Sequence, residues 1–477
     1  MKKAEITIYL TLVFTLILSV FLSAFEAARG NHLKIRMENA VQTAIHSAFG
    51  EYHRELFERY GLLFVDTSYM TQVPDYHKVE SRISEYLEYK LYPEREQSLL
   101  FAKDWYEVTD YKVTLTNIRL ATDDKGNVLK TQAIDYIQNY VGGDWLENVN
   151  GWINIIEEYD INAETFQEEH EIVRQEINEK WTQNNLLGET WIVNQGLPSL
   201  DFHNEYMDIL TPSASFLGDS TISVKMINPL ELVSNRTTLQ GTGDLENNES
   251  MVLEEMYFNE YIIHKLGSYL DVREDCALDY QVEYVLFGLG QDSLNYMKMQ
   301  EMLFWFRGAA NLSMLLSDDL TQEWIKEVSE LGTLVKIPPK VIQAVINVCW
   351  AAAESADDVR RLLKGEAVVL LKEPKDFAVD IGGLVTGVWM FGDIGTQVSN
   401  AESVALEYKD YLRIFLYLML PETKLYRCMD MIEADIRQTE GNAHFRLDGC
   451  MDAASMEIGV SNDYGYFYTM ERKYSYF

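Results

Sequence analysis

The sequence predicts an α+β fold that is mainly helical: one N-terminal transmembrane helix continuing as a long stem helix, a small mixed α/β module, and a helix-rich C-terminal region closed by a β-hairpin. Three observations predict it. Residues Ile6 to Phe25 run for twenty positions without a charge, enough for one helix to rise about 30 Å and cross a bilayer with its backbone bonded internally. Beyond that run, apolar residues recur at helical spacing through most of the chain. Two stretches, 107–120 and 466–477, alternate instead with the period of two that marks a strand.

The elements follow in order. Leu33, Met37, Val41, Ala44, Ala48, Tyr52 and Leu56 recur every three or four residues, so one helix is expected from Ile6 to Tyr60, stopped at Gly61. A cleaved secretory signal followed by an independent helix is the competing reading, but the apolar run exceeds the usual core of such signals. Leu62 to Val65 reads as a strand, Val79 to Tyr92 as an amphipathic helix ended by Pro93, and 107–120 as a strand with an offset at Ile118. Asp123 to Asn127 is a turn by composition, and Val128 to Val141 returns to helical spacing.

Residues 145–186 read as helical, with Glu157, Glu158, Glu168, Glu169 and Glu171 on a solvated face. The polar stretch Pro212 to Ser250 reads as a loop or linker. Helices are expected over Met251–Leu270, Leu294–Leu316, Pro338–Lys364 and Ala401–Leu420. In the closing hairpin, Tyr466, Tyr468, Met470, Arg472, Tyr474 and Tyr476 should share one face. The segments expected are 1–60, 61–143, 144–250 and 251–477. Val341–Ala353, Ala378–Ile394 and Leu412–Leu420 are too short or too interrupted to be further spans.

A net charge of −35 gives the chain a surface that repels phosphate, so nucleic acid is not an expected partner. The lipid bilayer is, through residues 6–25. Basic residues stand on both flanks of the span, Lys2 and Lys3 before it and Arg29, Lys34 and Arg36 after it. A short flank with two lysines is retained in the cytoplasm more readily than a long domain, so the expected location is the cell membrane, single-pass, with the N-terminus cytoplasmic and the C-terminal domain extracytoplasmic. Cys276, Cys349, Cys428 and Cys450 lack CxxC spacing and read as buried free thiols, with Cys428–Cys450 the one pair close enough in sequence to bridge.

No HExxH pair, Gly-x-Ser-x-Gly elbow, Ser-x-x-Lys, phosphate-binding Gly-Lys loop or EF-hand occurs, so no catalytic, cofactor or metal residues are assigned. His46 and His53 would lie two turns apart on one helix, about 10 Å, too far to share an ion. The charges worth following are structural. Glu283, in YQVEYVLFG, and Arg307, in LFWFRGAANL, sit in apolar surroundings and are expected to pair with each other or with equivalent partners. Asp357 and Arg360 are spaced to meet on one helix, and Glu26 and Arg29 to pair where the helix leaves the lipid.

The segments ITIYLTLVFTLILSVFLSAFEAAR, ELFERYGLLFVD, MYFNEYIIHKLGSY, YQVEYVLFG, FRGAANLSMLLSD, WAAAESADDVRRLLKGEAVVLLKEP, KDYLRIFLYLML and RCMDMIEADIRQ together carry a resemblance across nearly the whole chain. The chain resembles a family of uncharacterised, membrane-anchored proteins of Gram-positive anaerobes whose genes accompany Tad-type pilus and secretion-like systems. Its first helix is similar to that of TadE-like pseudopilins. The resemblance implies a part in a surface pilus or its assembly, with protein partners in that apparatus. The sequence departs from the pilin pattern at Ala4-Glu5, where a prepilin peptidase site would set a glycine five residues before its glutamate. A minor subunit or assembly factor is therefore expected, not an enzyme. Two other classes stay open: an anchored extracytoplasmic enzyme acting on wall or glycan, which needs two carboxylates in an open cleft, and a ligand-binding sensory ectodomain, which needs an apolar pocket.

Overall fold

The computed structural model describes residues 2–91, 108–142, 144–183, 222–243, 252–330, 338–379, 404–463 and 465–476. In chain order they form α1 (Lys2–Phe49), α2 (Arg54–Tyr60), β1 (Val65–Asp66), α3 (Tyr76–Leu91), β2 (Val108–Leu120), α4 (Asn127–Gln138), α5 (Asp144–Glu158) and α6 (Ala163–Gln183). There follow α7 (Val252–Lys265), α8 (Gln281–Phe287), α9 (Asp292–Ser317), α10 (Asp319–Glu330), α11 (Pro339–Leu363), β3 (Val368–Val369), β4 (Ala405–Leu406), α12 (Tyr408–Leu418), α13 (Pro421–Gln438), β5 (Cys450–Asn462) and β6 (Phe467–Ser475). The fold is α+β and mainly helical, with a long N-terminal apolar helix and a C-terminal β-hairpin. The chain forms two compact units that are not consecutive segments: Met1–Tyr136 with Asn235–Glu249 and Ile432–Phe477, and Ile137–Ser234 with Ser250–Met431. Two of the four boundaries between them fall inside α4 and α13.

In the first unit α1 changes character along its length. Residues Ile6 to Phe25 are exposed throughout, whereas Leu33, Met37, Ala40, Val41, Ala44, Ile45, Ala48 and Phe49 are buried. The helix ends at Phe49, not at Tyr60. At Gly50 the chain turns, and His53 caps a separate α2 by accepting from the Leu56 N–H at 3.2 Å while its own N–H donates to the Phe64 carbonyl at 2.8 Å. This corrects the single-helix reading, because the apolar spacing passes over Gly50 while those capping bonds favour a break. Tyr52 accordingly falls off the buried stripe and is exposed. Gly61 does stop α2, in the left-handed conformation at φ 71° with its N–H on the Phe57 carbonyl at 2.8 Å.

The stem half of α1 lies against a four-stranded sheet. β5 is central: β2 and β6 flank it antiparallel, and β1 continues the β6 edge at Cys450 and Met451. Register sets Leu115 opposite Met456 and Met456 opposite Arg472, Val113 opposite Ile458 and Ile458 opposite Met470, which puts the period-two residues of the strands on the helix side. The Phe49 and Tyr474 rings pack with their centroids 4.2 Å apart, tilted at 30°, and the Tyr476 hydroxyl donates to the Phe49 carbonyl. The Ile118 offset is a β-bulge between Thr116 and Arg119 with Asn117 at φ 49°. The expected strand from Leu62 shrinks to Val65–Asp66, because the Gln132 side chain bonds both the N–H and the carbonyl of Leu63 at 2.8 and 3.0 Å and takes the place of a neighbouring strand. α3 packs Val79, Ile83, Leu87 and Leu91 into the same core.

Residues 235–243 belong to this unit and are pinned, not a free linker. The Thr242 and Gly243 N–H groups donate to the Ile118 carbonyl freed by the bulge, at 2.9 and 3.0 Å, and the Gly241 N–H donates to Asp123 at 2.9 Å. Arg236 forks onto Glu433 and Asp448, the latter at 2.6 Å.

The second unit is built around α9. Gly308 lets α6 come close: an added Cβ there would lie 2.1 Å from Phe166 Cε1. The helical stretch expected over 145–186 is broken at Tyr159–Asn162, with Asp160 at φ 46°, into α5 and α6. Glu157, Glu158, Glu168 and Glu171 are exposed and Glu169 half-buried. α7 ends at Lys265, ahead of a turn in which Ser268 and Asp271 exchange backbone bonds at 3.0 Å. Of the expected helix Ala401–Leu420, residues 401–403 lie outside the described residues, and of 404–420 only Tyr408–Leu418 is helical; Ala405–Leu406 pairs with Val368–Val369 instead, and Glu407 with Asp410 forms the capping box that starts α12. Beyond Val379 the apolar stretch Ala378–Ile394 lies outside the described residues.

Candidate functional site

Three places gather the charges picked out in the sequence. At the first, Glu26 and Arg29 pair across one turn of α1 at 3.8 Å, just beyond the last residue of the apolar run. The hairpin reaches them: the Tyr466 hydroxyl meets Glu26 at 3.3 Å and the Tyr468 hydroxyl donates to the Gly30 carbonyl at 3.2 Å. The helix is therefore fastened to the sheet within five residues of the end of the apolar run.

At the second and third, Glu283 and Arg307 do not face each other; each finds an equivalent partner. Glu283, on α8 and fully buried, accepts from the Tyr408 hydroxyl at 2.6 Å and the Tyr269 N–H at 3.0 Å, and its Oε2 has no hydrogen bond. Burial pushes its carboxyl up to about 7, the two donors only partly offsetting the loss of water. Arg307, on α9 and also fully buried, donates to Asp358 through Nε at 2.9 Å, to the Leu370 carbonyl at 2.7 Å, to the Tyr411 hydroxyl at 3.2 Å and to Asn311 at 3.2 Å.

Lys372 joins this cluster by bridging Glu354 and Asp358, and the second oxygen of Glu354 accepts the Val379 N–H at 3.0 Å. Two cations thus meet two anions, so the cluster is neutral. Burial opposes ionisation of Asp358, but the charges of Arg307 and Lys372 outweigh it and hold its carboxyl below the usual range. Glu354 and Asp358 are close carboxylates, yet both are sealed from solvent on a shared lysine, unlike a pair that must admit a glycan and a water. The arrangement ties α9, α11 and the chain at 370–379 together. Asp357 and Arg360 meet at 2.5 Å one turn away, as their spacing predicts.

Sequence reasoning missed Lys372, whose signal was a lone cation in the apolar run AVVLLKEP, and Asn311 and Tyr411, which carried none. It also missed Asp448 and Glu433 under Arg236, Arg437 and Arg446, and Asp452, held by Arg119 Nε at 2.7 Å and Gln132 Nε2 at 2.6 Å. His46 is exposed against the Tyr474 ring, while His53 is buried with Nε2 3.2 Å from Asn442 Oδ1, so they do not share a helix face. The four cysteines are buried and outside any disulfide. Among the described residues no group of three or more His, Cys, Asp or Glu side chains is placed to hold a metal ion.

Fold and site together define an α+β protein with one helix, among the described residues, long and apolar enough to cross a membrane, clamped just beyond its apolar run and packed on its own sheet. The chain belongs to the Family of unknown function (DUF5702), whose profile matches residues 206–462, from beyond α6 to the end of β5. Neither the comparison with curated proteins nor that with solved structures gave a match.

Proposed function

We propose that this chain is a noncatalytic, single-span membrane protein with its N-terminus in the cytoplasm and its two units outside, acting as a minor pseudopilin-like subunit or assembly factor of a Tad-like pilus or secretion system. One observation carries the reading. The helix that can span the bilayer is the same helix whose second half forms the core of the first unit, through Leu33, Met37, Val41, Ala44 and Ala48. An anchor of this kind is part of the folded protein, and its lipid-facing half offers an uncharged, largely apolar surface to neighbouring subunits in the membrane. The buried ion cluster supports a structural role in the same sense, since it fixes helices and keeps Glu354 and Asp358 sealed from solvent.

The test is photo-crosslinking in native membranes from residue 18, inside the span, and residue 35, exposed on the stem. Adducts with components of the pilus or secretion apparatus are expected. Membranes that carry the assembled apparatus but yield no such adduct from either position would overturn the assignment. N-terminal sequencing of the same material separates the anchor from a signal: a mature chain starting beyond Phe25 would refute the single-span reading.

A further inference from the structure

The β5–β6 hairpin places aromatic residues at the point where α1 leaves the lipid. Tyr466 and Tyr468 face the helix and reach Glu26 and the Gly30 carbonyl, while Phe467, on the opposite face of the strand, is 70% exposed. Its ring lies over Gly459, 3.4 Å from where a Cβ would stand, so the missing side chain at that position leaves the ring open there. Position along the membrane normal follows from the helix. Gly30 is five residues past Phe25, about 7.5 Å along the axis, and the headgroup region on each side of the hydrocarbon core is about 5–7.5 Å deep. With α1 spanning at residues 6–25, Tyr466, Phe467 and Tyr468 therefore stand in that layer and not in bulk water.

We propose that the tip of the β5–β6 hairpin is a second, interfacial membrane contact, in which Phe467 enters the headgroup layer of the bilayer crossed by α1 and Tyr466 and Tyr468 hold the hairpin to the helix at that depth. The occupant is the lipid surface itself, because the hairpin is bonded to the helix at the span's outer end. Amphipathic rings such as those of Tyr466 and Tyr468 favour this layer, and Phe467 adds an exposed apolar ring beside them. A contact beside the helix, added to the helix itself, fixes the tilt and rotation of the stem, which one span alone leaves free. This inference rests on the single-span reading given above.

The experiment uses the full chain reconstituted in phosphatidylcholine vesicles, with one introduced cysteine at a time carrying an environment-sensitive fluorophore. Labels go at Leu16→Cys in the span, Phe467→Cys at the tip, and Arg54→Cys on α2, beyond the far end of α1. The unsubstituted chain, whose own thiols are buried, sets the background. Expected are deep quenching by mid-chain nitroxide lipids at position 16, and at position 467 a blue shift relative to position 54 with strongest quenching by headgroup-level nitroxide. A label at 467 that matches position 54 while position 16 is quenched would overturn the tip contact and leave the anchor standing. A label at 16 that stays unquenched would overturn both. Asp463→Cys, exposed in the turn between β5 and β6, gives the same readout should Phe467→Cys fail to fold.

Discussion

Replacing Glu283 by glutamine tests the energetics of the second unit most directly. The carboxyl is fully buried, faces no cation, and rises from an ordinary 4.5 to about 7 in the folded protein, with Asp292 adding repulsion to the dominant cost of burial. A group whose folded value lies above its unfolded one holds its proton more tightly when folded. Below about pH 4.5 both states carry the proton and stability is unaffected. As pH rises from about 4.5 to about 7 the folded protein loses about 3 kcal/mol, and above that the full penalty of a buried charge remains. Glutamine keeps the acceptor for Tyr408 and Tyr269 but leaves its amide unbonded where Oε2 stood, at about 1 kcal/mol. Glu283→Gln should therefore be slightly less stable than the natural chain at pH 4.5 and about 2 kcal/mol more stable at pH 8. Urea unfolding of the full chain in detergent, read by hydrogen exchange of α8 and α12 amides from pH 4.5 to 8.5, measures the difference. A difference that does not change across that range would refute the reasoning.

Three further outcomes follow from single contacts. Arg307→Met leaves Asp358 with one fewer cation and strips the Leu370 carbonyl of its donor, so unfolding stability should drop by about 3–5 kcal/mol; Arg307→Lys should not restore it, since one ammonium cannot replace the fork. Gly308→Ala forces a methyl against the Phe166 ring and should cost about 1–3 kcal/mol, seen as a lower melting temperature with increased exchange in α6. Phe49→Ala removes a fully buried ring packed on Tyr474 and should cost about 3–5 kcal/mol, with faster exchange in the stem half of α1 and in β6 while the second unit is unchanged.

Much of the fold was legible where burial repeats at short range. β2, the hairpin, α9 and α11 fall close to the positions their periodicities predict, because the residues that face one core recur every two or every three to four positions whatever the partner is. The pairs Glu26–Arg29 and Asp357–Arg360 were legible for the same reason, each lying within one turn of helix.

What the sequence by itself determined is the apolar span, the class of fold and the local pairs, since each depends on the chemistry of neighbours within a few residues. The tertiary structure alone decided where α1 ends, which partners receive Glu283 and Arg307, and that residues 235–243 are held instead of free. Those outcomes turn on groups far along the chain: His53 on Phe64, Arg307 on Asp358 and Leu370, Glu283 on Tyr408, and Arg236 on Glu433 and Asp448. A buried polar atom must be satisfied, but it carries no local mark of which distant group will satisfy it.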